Sequence, residues 1–253
     1  MVVATTKASQ TPQTAKIPPS NEDGLLTLEK KKNLSSFVFL MTSAGALGLT
    51  IAGCLPMALL LGVSHASIRT TAKCARLFKV LDKLLKDEFL SGRGMEAFPI
   101  LAMEETTEHS YVDLYIRFPG RTQIFIATRS AGKNTIVYHE ARESLRVKRV
   151  KRSNFDIKPC PLMGLNESKR WLEKNRQMFG LSSRQVLKTP TAKVLVVSGQ
   201  TQIAPHRDEL YTEIGSREYL TLFKRGTKTF VVMEDDLAEF IRDWLTHLDG
   251  QKR

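Results

Sequence analysis

Tyr111-Val112-Asp113-Leu114-Tyr115-Ile116-Arg117-Phe118-Pro119-Gly120-Arg121-Thr122-Gln123-Ile124-Phe125-Ile126-Ala127-Thr128-Arg129 is the stretch that decides the fold. Tyr111 to Phe118 alternates in the manner of a strand, Pro119-Gly120 is a turn pair, and Gln123 to Arg129 is rich in β-branched and aromatic residues. The pattern predicts a β-hairpin. Phe98 to Met103 ahead of it is short and apolar. Behind it, the turn Ala131-Gly132-Lys133-Asn134 leads to Thr135–His139 and Ser144–Arg152, two further strand-like runs.

Further out the period changes. Upstream, Phe78, Leu81, Leu85 and Phe89 repeat at helical spacing, and Ser91-Gly92 closes the helix. Downstream, a helix is expected from a cap at Asn166, with Trp171, Leu172, Asn175, Met178 and Phe179 on one face and Gly180 as its stop. Lys193–Val197 is a continuous apolar strand of the kind buried on both faces. Tyr219–Phe223 and Thr229–Met233 pair across Arg225-Gly226. A last helix carries Leu237, Phe240, Ile241, Trp244, Leu245 and Leu248 on one face, with Asp235 and Asp236 at its N-terminus. This order of helices and strands predicts an α+β domain, one mixed sheet flanked by helices.

No Asp, Glu, Lys or Arg occurs from Leu34 to Ile68, while Lys30–Lys32 stand on one side and Arg69, Lys73, Arg76 and Lys79 on the other. A run of this length exceeds the roughly 20 residues that a spanning helix needs. One or two transmembrane helices are therefore expected ahead of the domain: a single span kinked at Pro56, or a short hairpin turning near Gly53-Cys54-Leu55-Pro56. Ile51-Ala52-Gly53-Cys54 has the look of a lipoprotein cleavage site, but Leu55 to Val63 stays apolar beyond it, against that processing. The organisation expected is a disordered tail over residues 1–33, rich in Thr, Ser, Gln, Pro and Lys, a transmembrane segment over 34–68, and a basic α/β domain over 69–253. The basic flanks place that domain on the cytoplasmic side.

The formal net charge of +12 points to an anionic partner: anionic lipid, acidic protein or nucleic acid, with the lipid bilayer itself at hand. Cys54, Cys74 and Cys160 are odd in number and scattered, so no disulfide framework is expected. His206 has no second ligand at metal spacing and reads as a surface histidine.

The order of elements, with an acid on the first strand of the hairpin, resembles the restriction-endonuclease-like PD-(D/E)XK core, and within it the nuclease-related (NERD) branch. The resemblance covers about residues 70 to 200, and the whole chain is similar to membrane proteins of a cyanobacterial type, which implies a plasma or thylakoid membrane. It implies a metal-holding Asp at Asp113 and a Glu-x-Lys on the next strand. Ala127 stands in place of that glutamate and Arg129 in place of the lysine, so the implied site is degenerate. Asp113 and Arg129 are the weak catalytic candidates, with Mg²⁺ as cofactor only if a carboxylate has migrated in from Glu88, Glu104, Glu105 or Glu140; otherwise no cofactor or metal site is expected. Arginine can clamp a phosphate but does not act as a base near neutral pH. The bland expectation for Asp113 is an ion pair with Arg117, Arg121 or Arg129.

The densest binding feature is the stretch holding Arg142, Arg146, Lys148, Arg149, Lys151 and Arg152, interleaved with Leu145, Val147 and Val150. It suits phosphate groups, and it lacks the aromatic residues on which bases stack. The functional expectation is a non-enzymatic, membrane-anchored interaction or assembly protein that binds an anionic partner. The alternative is a membrane-attached nuclease-like or nucleic-acid-binding protein using Asp113 with a migrated carboxylate.

Overall fold

A computed structural model describes residues 18–48, 54–102, 112–149 and 153–251. Two long helices come first, α1 (Asn21–Gly48) and α2 (Cys54–Leu85), followed by the short α3 (Glu88–Gly92). A seven-stranded mixed sheet holds β1 (Glu96–Phe98), β2 (Leu114–Phe118), β3 (Thr122–Arg129), β7 (Thr191–Val197), β9 (Tyr211–Ile214), β10 (Arg217–Lys224) and β11 (Thr227–Met233). Its order is β1-β2-β3-β7-β11-β10-β9. The β3–β7 and β7–β11 pairs are parallel and the rest antiparallel.

The deciding hairpin forms as expected. Leu114 faces Ile126 and Phe118 faces Thr122 across a turn in which Gly120 takes φ +70°, and Arg121 N–H donates to Phe118 O at 3.0 Å. The strands are buried on both sides rather than alternating, because the sheet is the middle of three layers. Leu114, Ile116, Phe118, Ile124, Ile126, Val194 and Val196 face α1, α2 and α6 (Leu237–Gln251). Tyr115, Phe125, Ala127, Leu195 and Val197 face the other way, onto α4 (Pro161–Lys174) and α5 (Ser183–Lys188). Each face is thus covered by helices.

Several expectations are corrected. The run 34–68 is shared between the end of α1 and the start of α2, which pack side by side in opposite directions: Ser35 meets Ser67, and Ser43 meets Ser64. Among the described residues no helix is long and apolar enough to cross a membrane, which overturns the expected transmembrane helices. Each helix also carries basic residues within it, Lys30–Lys32 in α1 and Arg69–Lys83 in α2, so no domain boundary falls at residue 69. The tail reading fails for residues 21–33, which are helical; residues 1–17 lie outside the described residues. Leu28 is fully buried in the core, and Asn21 clasps β1, its Oδ1 accepting from Ala97 N–H (2.8 Å) and its Nδ2 donating to Met95 O (3.1 Å).

The single-sheet expectation is also corrected. β4 (Thr135–His139), β5 (Ser144–Lys148), β6 (Phe155–Asp156) and β8 (Gln202–Ile203) form a second sheet in the order β6-β5-β4-β8. Helix α4 begins at Pro161, not at Asn166, because proline fits the first helical turn. Arg225 (φ +50°) and Gly226 (φ +73°) make the tight turn between β10 and β11, which pair as expected.

One core contact sets a pH dependence. Lys193 on β7 donates to Asn166 O at 3.1 Å, and burial, with Lys169 nearby, pushes its ammonium down to about 8 from an ordinary 10.5. A lowered lysine costs stability while it is charged in the fold, so the cost is full below pH 8 and fades as pH rises toward 10.5. Lys193→Met is expected to raise stability by about 1–2 kcal/mol at pH 7, after allowance for solvent screening. Thermal melts from pH 7 to pH 11 should show that gain shrink; a gain independent of pH would refute the assignment.

Candidate anion-binding cleft

Asp113 sits at the entrance to β2, where its N–H donates to Ile126 O at 2.8 Å and so fixes it beside Ala127. Its carboxylate is 1% exposed. Oδ1 meets Lys73 Nζ at 2.5 Å. Oδ2 accepts from Thr128 N–H (2.6 Å) and Thr128 Oγ1 (2.9 Å), with Arg129 Nη1 at 3.5 Å. Both oxygens are engaged, by two cations and two neutral donors. A carboxylate so enclosed is a structural anchor as well as a charge.

Around it opens a cleft of about 920 Å³. Helix α2 contributes Arg69, Lys73 and Arg76, four and three residues apart and hence on one face. The end of β3 contributes Arg129 and Ser130, and the segment after β6 contributes Lys158. Five cations from three parts of the chain therefore line the cleft, and two of them, Lys73 and Arg129, also hold Asp113. Arg76 is the telling member: its Nε is buried with no hydrogen-bond partner among the described residues. Burial lowers its guanidinium from the ordinary value, while Glu234 and Asp113 oppose that shift. Glu234 is itself paired with Lys79 at 3.1 Å. A buried donor without an acceptor favours an oxygen-rich anion as its partner.

The structure brings Asp113 and Arg129 together, and adds Lys73. Arg117 and Arg121 go elsewhere, Arg117 to Glu96 and Phe179 O, Arg121 to Asp249 at 3.1 Å. Of the carboxylates considered as migrants, Glu88 and Glu140 are not among the described partners of Asp113: Glu140 pairs with Arg207 at 3.3 Å and Glu88 is an exposed residue opening α3. Glu104 and Glu105 lie outside the described residues. Among the described residues no group of three His, Cys, Asp or Glu is placed to hold a metal ion.

On the basic strand, part of the charge is already partnered. On β5, Leu145 and Val147 point into the core and Arg146 and Lys148 outward, but Arg146 is tied to Asp156 at 2.7 Å. The Arg146 hydrogen bond, with Arg142 and Lys158 nearby, holds the Asp156 carboxyl below its ordinary value. Arg149 lies over the ring of Phe155 at 4.4 Å. Arg142 sits in a turn beyond β4, and Lys151 and Arg152 lie outside the described residues. His206, expected on the surface, is half-buried; its Nε2 accepts from Tyr138 N–H at 3.3 Å and its Nδ1 has no partner among the described residues.

The cations of α2 stand in the sequence at positions 69, 73 and 76, where their helical spacing was visible beside their role as a basic flank. Lys158 had no signal, since only the second sheet carries it to the cleft. No protein-family model matches the chain, and no curated protein or solved structure is significantly similar to it.

Proposed function

We propose that the chain is a non-enzymatic binding protein whose cleft between α2 and the end of β3 takes a phosphate-bearing anion, as part of an interaction or assembly role. The observation that carries this is the convergence of Arg69, Lys73, Arg76, Arg129 and Lys158 on one cleft, beside a carboxylate whose oxygens are already engaged. The PD-(D/E)XK resemblance would assign Asp113 as its acid and Arg129 to the position of its lysine, and it leaves Ala127 where its glutamate would stand. Phosphodiester hydrolysis by metal requires several carboxylate oxygens on the ion. The cleft offers guanidinium and ammonium groups instead, which suit a bound phosphate.

Calorimetric titration of the full chain with inorganic tripolyphosphate tests the reading. Arg69→Ala with Lys158→Ala, both at the rim of the cleft, is expected to weaken binding at least about tenfold, and added salt to weaken it further. Unchanged affinity in the double variant would sink the proposal. So would Mg²⁺-dependent cleavage of DNA or RNA that Asp113→Ala abolishes.

A further inference from the structure

Away from the sheet the helical hairpin is built inside out over its described side chains. Where residues 35–43 of α1 meet 64–67 of α2, hydroxyls face one another: Ser35 Oγ donates to Ser67 O at 2.9 Å, and Ser64 Oγ lies 2.8 Å from Thr42 Oγ1 and 2.9 Å from Ser43 Oγ. Ser64 is 5% exposed. Outside, Leu34, Phe37, Leu40 and Met41 follow one stripe of α1, and Val63 and Ile68 belong to α2, each between 46 and 64% exposed. Water sorts side chains the opposite way. Small and hydroxyl-bearing residues between helices, with large apolar ones outward, suit a hairpin surrounded by acyl chains. A patch of this kind marks a contact surface.

The stripe changes character toward the sheet. Lys30 and Asn33 continue it on α1, and Ile68 and Arg69 already line the cleft on α2. The apolar end is thus collared by cations at its base. Its reach is limited: residues 34–48 of α1 and 54–68 of α2 are helical, and at 1.5 Å per residue each extends about 22 Å. The hydrocarbon layer of a bilayer is about 30 Å thick. Each of these two helical stretches is shorter than that layer.

We propose that the outer face of the hairpin inserts into one leaflet of an anionic bilayer and that the cleft at its base takes the phosphate of an anionic lipid. This rests on the phosphate reading of the cleft given above. A second copy of the chain would also cover the stripe, but it would bring two basic collars together; charge complementarity favours the bilayer.

The test is flotation of the full chain with phosphatidylcholine vesicles, with and without phosphatidylglycerol, alongside tripolyphosphate titration. The expected result is flotation with the anionic vesicles, reduced at least about tenfold by Phe37→Ser with Leu40→Ser and Met41→Ser, and by Arg69→Glu with Lys158→Glu. Phe37→Trp, which leaves the hydroxyl contacts intact, is expected to shift its emission to the blue on anionic vesicles and to be quenched by lipids brominated along the acyl chain. No flotation and no shift, with tripolyphosphate still bound, would overturn this inference and leave the cleft reading standing. Flotation without tripolyphosphate binding would overturn both the cleft reading and the headgroup assignment. Equal flotation with the neutral vesicles would remove the anionic headgroup from the account. A dimer lost on Phe37→Ser, with no flotation, would assign the stripe to a second copy and overturn the proposal.

Discussion

Asp113→Ala is expected to destabilise the fold by about 3 kcal/mol, lowering the melting temperature by on the order of 10 °C. The carboxylate is almost fully enclosed, and its removal strands Thr128 N–H, the Thr128 hydroxyl and two cations at once. Lys73 and Arg129 keep 29% and 17% of their side chains exposed, so water relieves part of the uncompensated charge and the cost stays near the low end of the range for a broken buried pair. Asp113→Asn should cost less, because its carbonyl oxygen still accepts from Thr128, although its amide N–H2 cannot accept from Lys73. The two properties of the site then separate in sign. Either substitution removes the negative charge from a cationic cleft, and tripolyphosphate affinity is expected to rise by about threefold to tenfold as stability falls. A nuclease acid would behave differently, losing activity and metal binding together. Denaturant melts with calorimetric titration of the same two variants decide between them: unchanged stability would refute the anchoring role, and weaker anion binding would refute the charge effect.

Local chemistry was legible and distant pairing was not. The β2–β3 hairpin could be recognised because its turn pair, its alternation and its register all lie within residues 111–129. The β10–β11 pair and helix α6 were legible for the same reason. The second sheet was not, because Thr135 and Ile136 pair with Gln202 and Ile203, far along the chain, and nothing local says which sheet a strand joins. The candidate site divides the same way. Asp113 and Arg129 lie on adjacent strands of one hairpin and were singled out together. The stronger partner, Lys73, comes from a helix 40 residues earlier, and Lys158 from a segment that only folding brings back. The apolar run misled by its continuity: its absence of charge is real, but two antiparallel helices divide it, and neither is apolar for long enough to span. The density of cations on the basic strand likewise shows nothing of Asp156 beside Arg146.

Leu28→Ala is expected to cost about 2–4 kcal/mol, the range for emptying a closed aliphatic site. Leu28 is fully buried in the cluster that also holds Leu77, Leu81, Leu114 and Ile116, so α1 is part of the core and not a tail laid over it. The helix approaches closely enough that a Cβ at Gly24 would meet Pro99 Cδ at 2.8 Å, and Lys31 Nζ reaches Leu101 O at 2.6 Å. Leu26, two residues before Leu28, is 55% exposed; Leu26→Ala is expected to stay within about 0.5 kcal/mol of the parent. Asn21→Ala leaves the Ala97 N–H without its acceptor and should cost about 1–2 kcal/mol. Denaturant unfolding of the three variants provides an internal control, because a flexible tail would leave all of them at the parent value. The composition of residues 21–33, with Glu22, Asp23, Glu29 and three consecutive lysines, hides this role. A single aliphatic side chain at the right turn of the helix, and one asparagine at its start, suffice to bind a mostly polar segment to the sheet.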